Sequence, residues 1–230
     1  MAASALITGG TGGLGAAVTR AFLDGGWRVV VPVYAERERE RVDPHERLVL
    51  EDADLMDAES AAAVAGVAAG EDGAPLGAVV NLVGGFAMGG RVHDTPIDEF
   101  EAQLRLNLRP TYLVCQATLP HLQAAAGGAI VCVSTRAVRQ PFSGAAGYIV
   151  SKAAVLALVD ALATEYRDDG VRVNAILPSV IDTPANRASM PDADHSRWVA
   201  PDQIAAVVRF LCEDGSSVVS GAHVPVYGRA

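Results

Sequence analysis

Cysteine is scarce. The chain holds three, Cys115, Cys132 and Cys212, each inside an apolar stretch and none in a CxxC or Cys/His spacing. That excludes a disulfide framework and a cysteine-based metal site, and leaves small buried thiols suited to a reducing compartment. Positive charge is also short, with 18 Lys and Arg against 27 Asp and Glu and a formal net charge of −9. Neutralising nucleic-acid phosphates takes clustered Lys and Arg, so no nucleic-acid partner is expected and the charge serves solubility. No run approaches the roughly 18 apolar residues of a membrane span. Residues 1–9 show no basic region followed by a long apolar run, so no signal peptide is expected. The expectation is a cytoplasmic protein with no membrane contact.

What the sequence does have is apolar residues, 50% of the total, with Ala, Val and Gly carrying much of it. That suits helices packed closely on a sheet, and 230 residues suffice for one well-filled domain. Short apolar runs at 5–7, 28–33, 48–50, 78–83, 129–133, 171–177 and 223–226 read as strands. Helix-like segments lie at 16–24, 58–69, 96–119, 145–166 and 204–213. The β-branched run 28–33 is what a strand covered on both faces looks like. Segment 96–119 starts after Thr95 as N-cap, with Pro96 at the first helical position, and Pro110 should kink or interrupt it. Such alternation predicts an α/β fold: a single domain of doubly wound parallel sheet with helices on both faces. The Glu/Arg alternation at 36–41 reads as solvated surface.

The stretch Thr8-Gly9-Gly10-Thr11-Gly12-Gly13-Leu14-Gly15 follows the first strand and opens the first helix. Glycines let the backbone approach a pyrophosphate closely, and free N–H groups at a helix start favour its charge. A tight turn without a ligand uses the same residues; the position between strand and helix favours a dinucleotide. Farther along, Tyr148 and Lys152 stand four residues apart, on one face of a helix. A phenol is protonated near neutral pH, and a neighbouring ammonium makes it a better acid. It can then protonate a carbonyl oxygen, or deprotonate an alcohol in reverse.

Together these motifs resemble the classical short-chain dehydrogenase/reductase family. Thr8, Gly9, Gly13 and Gly15 match its Thr-Gly-xxx-Gly-x-Gly turn, and Gly12 with Gly15 also satisfies the form found in extended members. Asn81-Leu82-Val83-Gly84 is similar to its Asn-Asn-Ala-Gly segment, with the middle pair replaced. Asn107 resembles the helix asparagine of its proton relay. Residues 172–179, Arg-Val-Asn-Ala-Ile-Leu-Pro-Ser, resemble the segment beside the nicotinamide, with Ser179 in place of glycine. The resemblance covers essentially the whole chain. It implies a Rossmann-type fold and an NAD(P)-dependent oxidoreductase acting on CH-OH/C=O, with Tyr148 as general acid/base assisted by Lys152. It also implies cofactor contacts from Thr8, Gly9, Thr11, Gly13, Leu14, Gly15, Tyr34, Arg37, Asp54, Leu55, Asn81, Gly84, Tyr148, Lys152, Pro178, Ile181 and Thr183, and no metal.

One departure concerns the substrate-binding serine, which the family usually places thirteen residues before the tyrosine. That register falls on Thr135; residue type favours Ser134. Both are candidates, and a one-residue insertion in 136–147 gives Ser134 the preference. Adjacent residues at a strand end point in different directions, so one of the two serves. For the cofactor, the place where NAD-preferring enzymes carry an acid falls at Val33 or Tyr34. Without that carboxylate NADP(H) is favoured, with Arg37 or Arg39 as phosphate partner; NAD(H), with Glu36 as the acid, is the alternative.

Phe86, Met88, Phe142 and Trp198 are expected to line an apolar substrate pocket. His93, His195 and Arg139 are weaker polar candidates. A small-molecule carbonyl or alcohol is the expected substrate. A C=N reductase of pterin type and a non-catalytic cofactor sensor with the same fold are the alternatives. Retention of Asn107, Tyr148 and Lys152 argues against the sensor. The resemblance further implies a homodimer or homotetramer built on the long helices.

Overall fold

The computed structural model describes residues 3–229. Seven strands, β1 (Ser4–Thr8), β2 (Arg28–Val33), β3 (Leu48–Asp52), β4 (Leu76–Asn81), β5 (Gly128–Val133), β6 (Val171–Pro178) and β7 (His223–Val226), form one sheet. Their order is β3-β2-β1-β4-β5-β6-β7, with every pairing parallel. The helices are α1 (Gly15–Asp24), α2 (Ala58–Ala69), α3 (Ile97–Asn107), α4 (Arg109–Ala124), α5 (Ala146–Glu165), α6 (Pro184–Ser189) and α7 (Pro201–Cys212).

Period-2 alternation in the central strands explains why they read as unbroken apolar runs. In β1, Ala5 and Ile7 pack with Phe22 and Leu23 of α1 and with Ile204, Val208 and Leu211 of α7. Leu6, between them, turns to the other face, where α2, α4 and α5 supply Val64, Leu122 and Val159. Both faces are covered by helices, so the central residues of these strands are apolar whichever way they point. Phe22 is wholly buried, and truncating it to alanine would cost about 3–5 kcal/mol.

Three expectations are corrected. The predicted helix 96–119 is two helices that meet at Leu108. The interruption expected of Pro110 is there, with Pro110 in the first turn of α4, where its missing N–H costs nothing. Thr95 is not the N-cap: Pro96 holds that position, and the Thr95 hydroxyl donates to Gly90 O and Arg91 O. Finally, α5 is long and apolar enough to cross a membrane by length and composition, with a mean hydropathy of 1.6. Its apolarity has a local cause, because Val155, Leu156, Val159 and Leu162 are core residues against the sheet.

The chain leaves β1 toward β2 on one side, and later returns to place β4 on the other side of β1. The strand order therefore reverses between β1 and β4, and their C-terminal ends open onto a crevice of the kind that holds ligands in such sheets.

Candidate active site

At the end of β1 the chain turns through Gly9, whose φ of +65° suits glycine. Gly12 N–H donates to Gly9 O (2.9 Å), closing the turn, and α1 starts at Gly15. A Cβ on Gly15 would run into Gly9 O, and one on Gly13 would lie 2.9 Å from Thr183 Cγ2. The turn is thus a cradle that side chains would fill. Leu14, at the N-cap, offers no side-chain acceptor, and the first turn carries no acid. Gly12 O accepts from the Ala16 N–H (2.8 Å), but no side chain takes the other opening N–H groups of α1, so the residues present fit a dinucleotide pyrophosphate.

Of the other expected contacts, Thr8 is buried, and its Oγ1 accepts from Leu82 N–H (3.1 Å) and Val83 N–H (3.3 Å). It fastens the glycine turn to the end of β4. Thr11 and Leu55 are buried. Asp54 is exposed beside α2, its Oδ1 accepting from Met56 N–H (2.9 Å). Asn81 is buried with Nδ2 toward the sulfurs of Cys115 (3.5 Å) and Cys132 (3.7 Å), and its Oδ1 has no partner. After Pro178, Ile181 bridges Val199, and Thr183 caps α6 against the glycine turn.

The 36–41 segment is solvated, as expected, with none of its residues buried. It forms a 3-10 helix (Glu36–Arg41) in which Arg39 is held by Asp52 (2.7 Å), Glu36 (3.0 Å) and Leu50 O (3.0 Å). Arg39 is thus committed to protein partners, while Glu36 stays exposed. Arg37 is exposed, and Tyr34 is 77% exposed. Glu38, which the sequence did not single out, brings Oε2 to the Tyr34 N–H (3.2 Å) at the end of β2.

Tyr148 and Lys152 lie in the first two turns of α5. Lys152, the single lysine of the sequence, donates from Nζ to Val133 O (3.0 Å). Burial pushes its ammonium down to about 8. Burial pushes the Tyr148 phenol up, while the neighbouring Thr135 hydroxyl draws it down. Ser134 is buried and donates from Oγ to Lys152 O (2.9 Å), away from the phenol. Thr135 is the hydroxyl whose neighbourhood lowers the phenol, and its Oγ1 accepts from Ala137 N–H (3.2 Å), while the preferred Ser134 is turned to the backbone.

Asn107 closes α3, wholly buried, with Oδ1 accepting from Gly85 N–H (3.0 Å) and Nδ2 donating to Gln103 O (3.1 Å). A Cβ on Gly84 would stand 2.6 Å from Asn107 Oδ1 and 3.0 Å from Lys152 Nζ. Only a glycine lets these two groups come so close.

Among the apolar candidates, the Phe86 ring packs edge-on to Tyr148 at 5.0 Å and tilted to Phe142 at 6.3 Å. Met88 is exposed on the same loop. Trp198 lies tilted against His195 at 4.3 Å. Arg139 and His93 pair with His223 (3.4 Å) and Asp94 (3.2 Å) respectively. The Arg172-Val173-Asn174 stretch proves to be scaffold: Asn174 is buried and binds Val219 O and Ala222 N–H, and only Pro178 reaches the site end of β6. Among the described residues no cluster of His, Cys, Asp and Glu could hold a metal ion.

Residues 9–228 match the family described as enoyl-(acyl carrier protein) reductase. The chain is 30% identical to 2-(R)-hydroxypropyl-CoM dehydrogenase of Xanthobacter autotrophicus, over 99% of this chain and 98% of that protein. It is 34% identical to the protein FixR of Bradyrhizobium diazoefficiens, over 97% of this chain and 84% of the relative. The solved structure of ElxO with NADP bound superposes with a TM-score of 0.91 at 23% identity, covering 99% of this chain and 98% of that one. With the glycine turn, the sheet order and this coverage in agreement, the chain belongs to the short-chain dehydrogenase/reductase family of oxidoreductases.

Proposed function

We propose that the chain interconverts a carbonyl compound and its alcohol with a nicotinamide cofactor, NADP(H) in preference to NAD(H). The observation that carries this reading is the buried Lys152 amine one helical turn from Tyr148, whose phenol the Thr135 hydroxyl draws down. The reduced nicotinamide, when bound, supplies a hydride. Thr135 donates a hydrogen bond to the substrate oxygen, and Tyr148 delivers a proton to that oxygen as it gains charge. Lys152, when protonated, favours the phenolate left behind. Ser134 holds the α5 backbone through Lys152 O, and Asn107 holds the loop at Gly85, so both act as positioning residues.

The uncapped start of α1 takes the pyrophosphate. Arg37, exposed beside Tyr34, takes the 2′-phosphate, because Arg39 is already committed to Asp52. Phe86, Phe142 and Met88 face the substrate, which is a small molecule. The apolar groove between Leu104, Leu108, Tyr112 and Leu158 fits pairing of these helices in a homodimer or homotetramer, and the buried thiols fit the cytoplasm.

The test compares the wild type with Tyr148→Phe in melting and in turnover. A ligand at 100 times its dissociation constant adds about 2.7 kcal/mol, enough to move the midpoint by several degrees. NADPH should raise both melting points alike, and carbonyl reduction should fall at least about 100-fold in the variant. Wild-type turnover in the variant would remove Tyr148 from the chemistry; no melting shift with NADPH or NADH would remove the cofactor.

A further inference from the structure

Phe86 lies edge-on to the Tyr148 ring with Phe142 beyond it, and these side chains and Met88 stay half out of the core. Phe86 is 57% exposed, Phe142 46% and Met88 59%, although the molecule has two dry interior faces to hide such side chains in. They are also held in place. Gly89 N–H donates to Gly144 O (2.8 Å), tying the loop after β4 to the loop after β5. Gly144 has φ +82°, and a Cβ there would stand 2.5 Å from Gly89 O, so the close approach of the two loops depends on that glycine. At the other end of the first loop, Asn107 Oδ1 holds Gly85 N–H, next to Phe86. A surface that is apolar, fixed and exposed beside the proton donor is a preformed binding face.

Several charged side chains of the surrounding loops already have protein partners. Arg136 binds Gln140 and lies over the Tyr227 ring, and Arg139 meets His223. Arg187 is held in two-pronged fashion by Asp182, and His195 by Met190 O. A polyol or an anionic substrate needs several polar groups converging on it, and loses heavily when they are absent. A ring needs what is here: aromatic edges and faces at van der Waals distance.

We propose that this site takes an apolar carbonyl compound carrying a planar ring, in preference to an open-chain polyol or a charged metabolite. The proposal rests on the carbonyl-reducing reading above. In the step it describes, a hydride from the reduced nicotinamide goes to the carbonyl carbon and the Tyr148 proton goes to the oxygen. The C=O π bond becomes the C–H and O–H bonds of the alcohol, leaving oxidised nicotinamide and a phenolate that water reprotonates. The ring meanwhile packs against Phe86 and Phe142.

The test uses the full chain with NADPH and three probes: acetophenone, butanone and, in the oxidative direction with NADP+, D-threitol. Acetophenone should be the best substrate. Phe86→Ala, at an exposed position that the fold does not depend on, should lower kcat/KM for acetophenone about tenfold, mostly through KM, and move butanone less than about threefold. Phe86→Tyr should restore the preference. Calorimetric binding to the Tyr148→Phe variant with NADP+ supplies a readout that does not need turnover, and there acetophenone should bind and D-threitol should not. A ring ketone that binds in a Phe86-dependent way but is never reduced would leave this proposal standing and remove the carbonyl-reducing reading. A preference for D-threitol or butanone, or a Phe86→Ala loss equal for ring and chain, would overturn it and assign the aromatic face to some other contact.

Discussion

The two edges of the parallel sheet treat their helix ends in opposite ways. At the edge where the strands begin, the helices end, and arginines satisfy their last carbonyls. Arg28 donates to Val67 O (3.2 Å) and Ala68 O (3.4 Å) in the last turn of α2, while Arg47 and Arg209 reach Leu23 O (3.0 Å) and Ala21 O (3.3 Å) in α1. Arg172 closes α7 through Leu211 O (2.7 Å) and Glu213 O (3.3 Å). At the other edge, α1 and α5 begin with no side-chain cap and no acid in the first turn. A cleft of about 1140 Å³ lined by Trp27, Gly77, Gly127 and Arg172 among others lies at the arginine edge, away from Tyr148 and Lys152. Chemistry collects where hydrogen-bonding capacity is left unspent, and size does not locate it.

If that contrast holds, damage at the arginine edge should cost stability and spare the cofactor. Arg172→Ala removes hydrogen bonds to Leu211 O, Glu213 O, Val219 O and the Ser216 hydroxyl at once. Glu213 O and Val219 O keep Ser216 and Asn174 as donors, so Leu211 O bears most of the damage, and losing the four hydrogen bonds should cost about 3 kcal/mol, a fall in melting midpoint of about 6–12 °C. The NADPH dissociation constant should stay within about twofold, since the contacts proposed for the cofactor lie at the other edge. A large loss of NADPH affinity in a variant that still folds would break the division between the two edges.

Lys152 makes the converse case, a residue that costs stability where function needs it. The folded chain holds its proton less tightly than the unfolded chain, about 8 against the ordinary 10.5, because of burial. At neutral pH that difference weighs about 3 kcal/mol against the fold. Between about pH 8 and 10.5 the unfolded chain binds the proton that the folded chain has released, so stability should rise with pH across that window. Lys152→Met removes the buried charge but orphans Val133 O, for a net gain of about 2 kcal/mol at neutral pH and a melting midpoint about 4–8 °C higher. It should flatten the rise above pH 8 and abolish turnover. A variant that melts lower at pH 7, or keeps the wild-type slope, would show that the ammonium is not held in an unfavourable place.

Much of this arrangement was legible in the sequence. Alternating apolar runs gave the strands, because a sheet covered on both faces demands apolar side chains whichever way they point, and the glycine turn and the Tyr148–Lys152 spacing are local patterns. What stayed hidden depends on contacts between distant residues. Whether Ser134 or Thr135 neighbours the phenol is decided by the orientation of the chain leaving β5, which turns Ser134 toward Lys152 O. That Arg39 in the solvated 36–41 run is anchored was not legible, because its partner Asp52 lies on β3. Nor was the contact between Trp198 and His195, which the fold of 183–199 brings together. The Arg-Val-Asn stretch carried the family resemblance but lies on the arginine-edge half of β6, where it serves the scaffold.

The smallest expected effect sits at the end of β2, where the open edge is not wholly unspent. The Tyr34 N–H is free of the sheet there, and Glu38 Oε2 accepts from it at 3.2 Å. A carboxylate in that place can accept from a ribose hydroxyl, and it repels a 2′-phosphate; Arg37 nearby does the opposite. The preference for NADPH proposed above is therefore a difference between two opposed charges on one short segment, both near the surface and screened by solvent. Glu38→Gln keeps the hydrogen bond and removes the charge, so the ratio of kcat/KM for NADPH over NADH should rise severalfold, about 1 kcal/mol. Arg37→Ala should lower the ratio by a similar factor, with the double variant returning near the wild type if the two act independently on the phosphate. Added salt should shrink both single-variant effects, because charges this exposed are felt only across about a Debye length. A ratio that ignores Glu38 but collapses with Arg37 would make the arginine alone the reader of the cofactor. A ratio that already favours NADH in the wild type would mean that the carboxylate prevails.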